Sequence, residues 1–536
     1  MVALSGDNLF AITGAMICDG TGKRPPFEGE VIVEGETIKK VIPFSPAEPY
    51  PPFPGKKISG KGLLLAPGFV DIHSHSDLSF FAAPEAEGLL AQGVTSVITG
   101  NCGLSPFPIL TEEVRNHLQE IYARYGERLS WSTFREYAGK LQERAPGVNL
   151  AAFCGHNTLR ANFSSYTFRE SSPRMSACMK DALSETLSEG ALGLSTGLLY
   201  VPGKFASREE LLALMEVLKE KNALYSTHLR SEGAFLEEAL VEALELGKAS
   251  SGRVLISHLK TAGKENWWKI GKILEMLESA RKEGLELFAD RYPYTFAQSS
   301  LSLLLPGKYE SMSDRDIMAE LRLLPEKELE LLAGEVDASG RDWEKVILTA
   351  TESPFALRNL LPGKSMKEAC SSTGSSPGKL LIRILQEDSP GSMAAFGGMS
   401  GENLEKILRK EFVACGTDES CRSLDFSLGK SHPRGFGSFP FFARKLMALG
   451  VPPEKIIYRF TGLPSEILHW ERRGVIREGA YADLVLLSWE DYKDNATFAQ
   501  PHAAASGVVK VFVNGVEKGR KRNGKVLSAS GEKLFS

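Results

Sequence analysis

Short apolar runs recur through the middle of the chain: "GLLLAPGFVDIH", "GVTSVITGNCG", "NLAAFCGH", "ALGLSTG", "ALYSTHLR", "RVLISHLK", "LELFADRYPY" and "EFVACGTDES". Between most of them lie segments rich in Leu, Glu, Lys and Ala, such as "REELLALMEVLKEKN" and "LEEALVEALELGKAS", which read as helices. Strands alternating with helices at this spacing predict βα units and a parallel sheet. Eight such units predict a closed (β/α)₈ barrel of the TIM type. The last gap is too long for one helix. Residues 301 to about 410, with "DWEKVILTATES" and "GKSMKEACSSTGSSPGKL", read as a subdomain inserted before the last barrel strand, a lid over the site.

The two ends differ from the middle. "LFAITGAMICDG" and "GEVIVEGETIKKVIPF" near the start are short β-like runs broken by Gly, Pro and charge. The same character returns in "GVIREGAYADLVLLSWEDY" and "GVVKVFVNGVEKG", where "VNG" marks a hairpin turn. We expect one small β-sandwich domain built from both termini, with two separate β-caps as the alternative. The expected division is 1–62 and 473–536 for the small domain, and 63–472 for the barrel.

Composition narrows the function. A chain of 536 residues, 43% hydrophobic and 24% charged, is that of a soluble globular protein with more than one domain. A net charge of −4 leaves no basic footprint for nucleic acid. No apolar run reaches 18 residues, and "MVALSGDNLFAITGAMICDG" lacks the layout of a signal peptide. Seven irregularly spaced cysteines do not form a disulfide framework. The expected location is the cytoplasm, with no membrane partner and with the oligomeric state open.

Metal-capable side chains follow the strand-like runs with unusual regularity. His73 and His75 close the first, Cys102 follows the second, His228 ends the fifth, His258 the sixth, and Asp418 the eighth. In a barrel all strand C-termini open on one face, so these six residues would converge. Imidazole and thiolate ligands suit zinc. A satisfied core residue is a fair account of any one of them alone. It is a poor account of six at one strand end when the chain holds nine His and seven Cys.

"PGFVDIHSHSD", "GNCG", "THLRSEG", "ISHLK" and "GTDES" resemble the metal-binding series of the amidohydrolase superfamily, and more narrowly its D-aminoacylase branch, the N-acyl-D-amino-acid deacylases. "GVIREGAYADLVLL" and "VFVNG" are similar to that superfamily's closing β-domain. Cys102 discriminates within it. Dihydroorotase and hydantoinase place a carboxylated lysine there or nearby as bridging ligand, and "ALGLSTG" offers no lysine. The resemblance implies zinc-dependent hydrolysis of the amide bond of N-acyl-D-amino acids. Cys102, His228 and His258 would hold a tight zinc, and His73 and His75 would line a second, weaker position near Asp418. Asp418 would be the catalytic proton carrier. Lys260, Tyr292 of "YPY" and Tyr200 of "GLLY" would contact the substrate, with Arg434 of "HPRGFG" as a further partner and Arg230 as a weaker one.

Other readings stay open here: a hydrolase of cyclic amides or D-residue peptides, and a non-catalytic scaffold. Around the tyrosine motif "YPYTFAQSS" departs from the serine that members often carry, with Gln298 ahead of Ser299 and Ser300. His156 and His432 could touch the site or serve loops. Cys154 reads as a small buried apolar group, and Trp267 and Trp268 as packing residues.

Overall fold

The computed structural model describes residues 9–47, 53–388, 391–519 and 521–535. Strands Leu9–Ile17, Phe27–Glu34, Thr37–Pro43, Lys56–Ser59 and Leu64–Pro67 join Leu484–Leu487, Val508–Val513 and Val516–Glu517 in one eight-stranded sheet. The two ends of the chain meet where Leu484–Leu487 runs antiparallel to Leu64–Pro67. Apolar residues from both ends, among them Ile12, Val31, Val33, Leu65, Leu484, Leu486 and Phe512, form a shared core beneath it. Asn514 and Gly515 both have positive φ (47° and 76°), which sets the tight hairpin into Val516–Glu517.

The middle of the chain carries parallel strands. Phe69–Asp71, Val94–Thr99 and Asn149–Ala152 form one set; Cys154–Gly155, Gly193–Gly197, Leu224–His228, Arg253–Ile256, Glu286–Arg291 and Val413–Cys415 form the other. Only Phe153 separates Ala152 from Cys154, and the Leu192 N–H donates to Ala152 O at 2.9 Å across that seam. At the opposite edges the Asp418 N–H donates to His73 O at 2.7 Å, and the Thr417 N–H to Asp71 Oδ1 at 2.9 Å. Val94–Thr99, Gly193–Gly197 and Leu224–His228 are buried at every position, as parallel strands covered on both faces must be.

Helix Arg208–Lys221 shows how the covering layer is built. Ser207 caps it by accepting the Glu210 N–H, and Asn222 ends it in the left-handed conformation. Leu211, Leu214, Met215 and Leu218 recur at i, i+3, i+4 and i+7 and are all buried. Burying each such side chain contributes about 2 kcal/mol, so Leu214→Asp, which loses that term and buries an unpaired charge, would detach the helix.

The inserted unit differs from its expected limits of 301–410. It opens earlier, with strand Phe296–Ser300 paired antiparallel to Met393–Gly397, which in turn pairs with Val346–Ala350. Its own core runs from Leu301 to Ala394. It also closes earlier, because Leu404, Ile407 and Leu408 of helix Gly401–Leu408 bury into the large core. Arg315 reaches Glu120 at 3.1 Å, and Lys204 Nζ donates to Glu310 O at 2.7 Å, so the unit leans on helix Glu112–Ile121 and on the short turn Gly203–Phe205, which follow strands Val94–Thr99 and Gly193–Gly197. Trp267 packs and donates to Gly398 O at 2.9 Å, whereas Trp268 is 71% exposed, contrary to its expected packing role.

Candidate metal centre

Each predicted ligand stands at the C-terminal end of a parallel strand or just past it. His228 is the last residue of its strand, and His258 lies two past Ile256. Cys102 and Asp418 each follow three residues after a strand. Their backbones are unusual. Cys102 (φ 53°), His258 (φ 36°) and Asp418 (φ 53°) are three of the ten described non-glycine residues in the left-handed region. Each such residue costs on the order of 1–3 kcal/mol, so the cluster marks a site held in place by its surroundings. Two glycines make room for it. A Cβ on Gly197 would sit 2.0 Å from Cys102 O, and one on Gly416 would sit 2.7 Å from His73 Cβ.

The side chains converge. Cys102 Sγ lies 3.4 Å from both His73 Nε2 and His258 Nε2. Asp418 Oδ1 lies 3.1 Å from His75 Nε2 and 3.4 Å from His73 Nε2. The rings of His228 and His258 meet edge to face at 4.4 Å. Two sets of donor atoms lie mutually within 4.8 Å: His73, His75, Cys102 and Asp418, and Cys102, His228 and His258. Cys102 belongs to both.

The electrostatics supplies two anionic donors among the imidazoles. Burial raises the Cys102 thiol, but His73 and His258 outweigh it and hold the group well below the usual thiol range, as thiolate. Burial likewise opposes ionisation of Asp418, yet Arg434 followed by His73 and His258 keeps it well below the usual carboxylate range. Burial lowers His228, whose two ring nitrogens are buried with no hydrogen-bond partner. An imidazole orphaned in this way, beside a thiolate, fits a zinc ligand.

A second layer of residues orients the first. Asp290 Oδ2 holds His73 Nδ1 at 3.0 Å, while its Oδ1 accepts the His258 N–H at 2.9 Å. Glu232 Oε1 lies 3.0 Å from His258 Nδ1 and is paired with Lys260, whose Nζ is 2.8 Å from the same ring nitrogen. Such partners fix ring orientation and ligand basicity. Asp290 and Glu232 were not singled out in the sequence. A carboxylate inside the apolar run "LELFADR" was the available signal for Asp290; Glu232, four residues after His228, resembles any loop acid.

The expected substrate contacts are distributed unevenly. Tyr200 stands with its ring 4.9 Å from that of His228. The Tyr292 hydroxyl is buried and unpartnered, and its ring lies beneath the guanidinium groups of Arg291 (4.1 Å) and Arg434 (4.7 Å). Burial raises the Tyr292 phenol, but the charges of Lys260, Arg291 and Arg434 bring it below its ordinary value. Lys260 and Arg434 are buried rather than rim charges. Arg434 Nη1 binds Asp418 Oδ2 at 2.6 Å. Arg230 turns away to Glu242 at 2.9 Å. His156 is engaged by Glu210 at 2.8 Å, outside the centre. His432 Nδ1 accepts the Arg434 N–H at 3.0 Å. Cys154 is buried, and burial pushes its thiol up to about 12, leaving it inert.

Residues 58–329 match the model of the amidohydrolase family. The chain belongs to that family. It is 30% identical over 533 residues to the N-acyl-D-aspartate deacylase of Alcaligenes xylosoxydans xylosoxydans, an alignment covering 97% of this chain and 95% of the relative. Its structure is similar to that of the N-acyl-D-glutamate deacylase of Bordetella bronchiseptica, solved with zinc and a phosphonate mimic of the tetrahedral intermediate. That match has a TM-score of 0.78 at 26% identity and covers 97% of this chain and 99% of that one. A D-aminoacylase with a binuclear metal centre, described as activated by one metal and attenuated by the second, matches with the same TM-score, identity and coverage. The resemblance seen in the sequence motifs is borne out.

Proposed function

We propose that this chain is a zinc-dependent hydrolase of the amide bond of N-acyl-D-amino acids, releasing a carboxylate and the free D-amino acid. The observation that carries the reading is the pair of donor sets joined at Cys102, in a chain aligned from end to end with deacylases of N-acyl-D-amino acids. Cys102, His228 and His258 would hold the tighter zinc, and His73, His75 and Asp418 would line the second position. The scaffold is a (β/α)₈ barrel. Its strand order supports this, with the Phe153 seam and the Asp418-to-His73 hydrogen bond as points of closure. The small β-domain takes the strands from Leu9–Ile17 to Leu64–Pro67, past the expected limit at 62, and those from Leu484–Leu487 to Val516–Glu517. The barrel lies between them, and Lys525 and Leu527 return to hydrogen-bond its strand Asn149–Ala152 at Leu150. All seven cysteines are free, which supports a reducing, cytoplasmic setting. No helix among the described residues is long and apolar enough to cross a membrane.

When bound, zinc supplies Lewis acidity at the amide carbonyl and acidifies water. The residues do the rest. Asp418 takes the attacking water's proton and delivers it to the leaving amine. Arg434 on Oδ2 and His75 near Oδ1 fix the plane of that carboxylate and keep it ionised. Lys260 receives the substrate's α-carboxylate, exchanging part of its pairing with Glu232. The Tyr292 hydroxyl and Tyr200 orient the substrate from either side. Hydrolysis of cyclic amides is disfavoured, because strand Gly193–Gly197 carries no bridging lysine.

The test is a panel of N-acetyl-D- and N-acetyl-L-amino acids with free amine detection. D-substrates are expected to be hydrolysed and their L-enantiomers poorly or not at all. Preference for the L-series or for hydantoins refutes the reading.

A further inference from the structure

Among the buried polar atoms near the metal centre that have no hydrogen-bond partner, two remain that the mechanism above does not use and that share one anchor: Gln298 Oε1 and His432 Nε2. Both residues hang from one anchor. Gln298 Nε2 donates to Glu419 Oε2 at 2.7 Å, and the His432 N–H donates to the same oxygen at 3.3 Å. Glu419 is itself buried, next to Asp418, with the Arg434 Nε 3.8 Å away.

The anchor decides what each free atom is. Because the amide nitrogen of Gln298 faces a carboxylate, the other end of that amide is an acceptor. Because His432 Nδ1 accepts the Arg434 N–H, the ring proton belongs on Nε2, which is a donor. The Phe296 main chain acts on the His432 ring, but no hydrogen bond of normal geometry reaches Nε2. Burial and the charge of Arg434 keep the ring neutral. Gln298 also sits on strand Phe296–Ser300, whose Ser299 side chain interacts with Tyr200, the neighbour of His228. The chain therefore presents one unpaired acceptor and one unpaired donor, on two residues that both bind Glu419 Oε2.

We propose that the side-chain subsite is built for a carboxamide, so that N-acyl-D-glutamine and N-acyl-D-asparagine are the favoured substrates. The amide NH₂ of such a side chain donates to Gln298 Oε1, and its carbonyl accepts from His432 Nε2–H. A carboxylate answers only the histidine, and it faces both the Gln298 oxygen and the Glu419 charge. An apolar side chain leaves both buried groups unpaired. A site built to hydrogen-bond its substrate discriminates most strongly against analogues that leave its groups unpaired. The relatives named for N-acyl-D-aspartate and N-acyl-D-glutamate take acids, so this chain diverges from them at the side-chain end of the substrate. The inference rests on the deacylase reading above.

The experiment is steady-state hydrolysis by the zinc-loaded full-length enzyme of the N-acetyl derivatives of D-Gln, D-Asn, D-Glu, D-Asp and D-Leu, in parallel with Gln298→Met. The expected kcat/KM for D-Gln or D-Asn exceeds that of its acidic counterpart and of D-Leu by at least about tenfold. In Gln298→Met the D-Gln to D-Leu ratio falls at least about tenfold. D-Glu, D-Asp or D-Leu cleaved as well as the amides overturns the carboxamide subsite while leaving the deacylase reading standing. An unchanged ratio in Gln298→Met overturns it equally. No hydrolysis of any member of the panel overturns both.

Discussion

The Cys102–His228–His258 donor set has no carboxylate among its ligand atoms, whereas the His73–His75 set is closed by Asp418. On the first side the outer contacts are Glu232 and Lys260, gathered on His258 Nδ1, while His228 has two unpartnered nitrogens. On the second, Asp290 backs His73, and Arg434 compensates Asp418. The contrast divides the labour. Three nitrogen and sulfur donors are suited to holding a catalytic zinc with a position left open. A carboxylate pinned by an arginine and a histidine, kept ionised, is suited to receiving a proton in one orientation. Cys102 is the hinge between the two.

That comparison can be broken most directly at Cys102. Cys102→Ala removes a donor from both sides, so zinc content by elemental analysis should fall close to zero and kcat/KM by at least about 10³. Circular dichroism should still report a folded protein, and Cys154→Ala should retain metal and activity. Next in size is Asp418→Asn, which keeps the shape and removes the proton acceptor. Its kcat should drop by about 10²–10⁴ with KM little changed and the tight zinc retained. Retention of more than about a tenth of wild-type kcat with zinc bound would move the proton carrier elsewhere.

The weaker half gives smaller effects. His75→Ala should leave about one zinc per chain and lower kcat by less than the Asp418 substitution, because it empties only the second position. Loss of all metal in this variant would merge the two sides into one site. Lys260→Ala should raise KM about tenfold, roughly the 1.5 kcal/mol of one charge-assisted hydrogen bond, with kcat changed less. A kcat loss equal to the loss in kcat/KM would instead assign Lys260 to orienting His258.

The convergence of the ligands was legible in the residues for a physical reason, whereas their division into two positions came from the family resemblance. Metal ligands are restricted to few residue types, and parallel strands deliver them to one face, so "DIHSHSD", "GNCG", "STHLR", "ISHLK" and "GTDES" could be read together. Alternating strand and helix patterns likewise exposed the parallel core. The supporting layer was less legible. Asp290 and Glu232 are acids in a chain with 67 of them, and only their contacts with His73 and His258 mark them out. Lys260 and Arg434 were legible as substrate contacts through the family resemblance, but their burial was not, because sequence carries no burial for a loop cation; in the fold Lys260 is paired with Glu232 and Arg434 with Asp418. The start of the insertion was misplaced because "FAQSS" has no strong strand signature and pairs only with the distant Met393–Gly397.

The central claim is that one zinc, held on the Cys102–His228–His258 side, makes this chain a hydrolase of N-acyl-D-amino acids. Zinc titration of chelator-treated enzyme tests it most directly, with hydrolysis of an N-acetyl-D-amino acid and bound metal measured on the same samples. Activity should be absent after chelation and should rise to its maximum at about one zinc per chain. Full activity in a preparation carrying less than about a tenth of a metal per chain would contradict it.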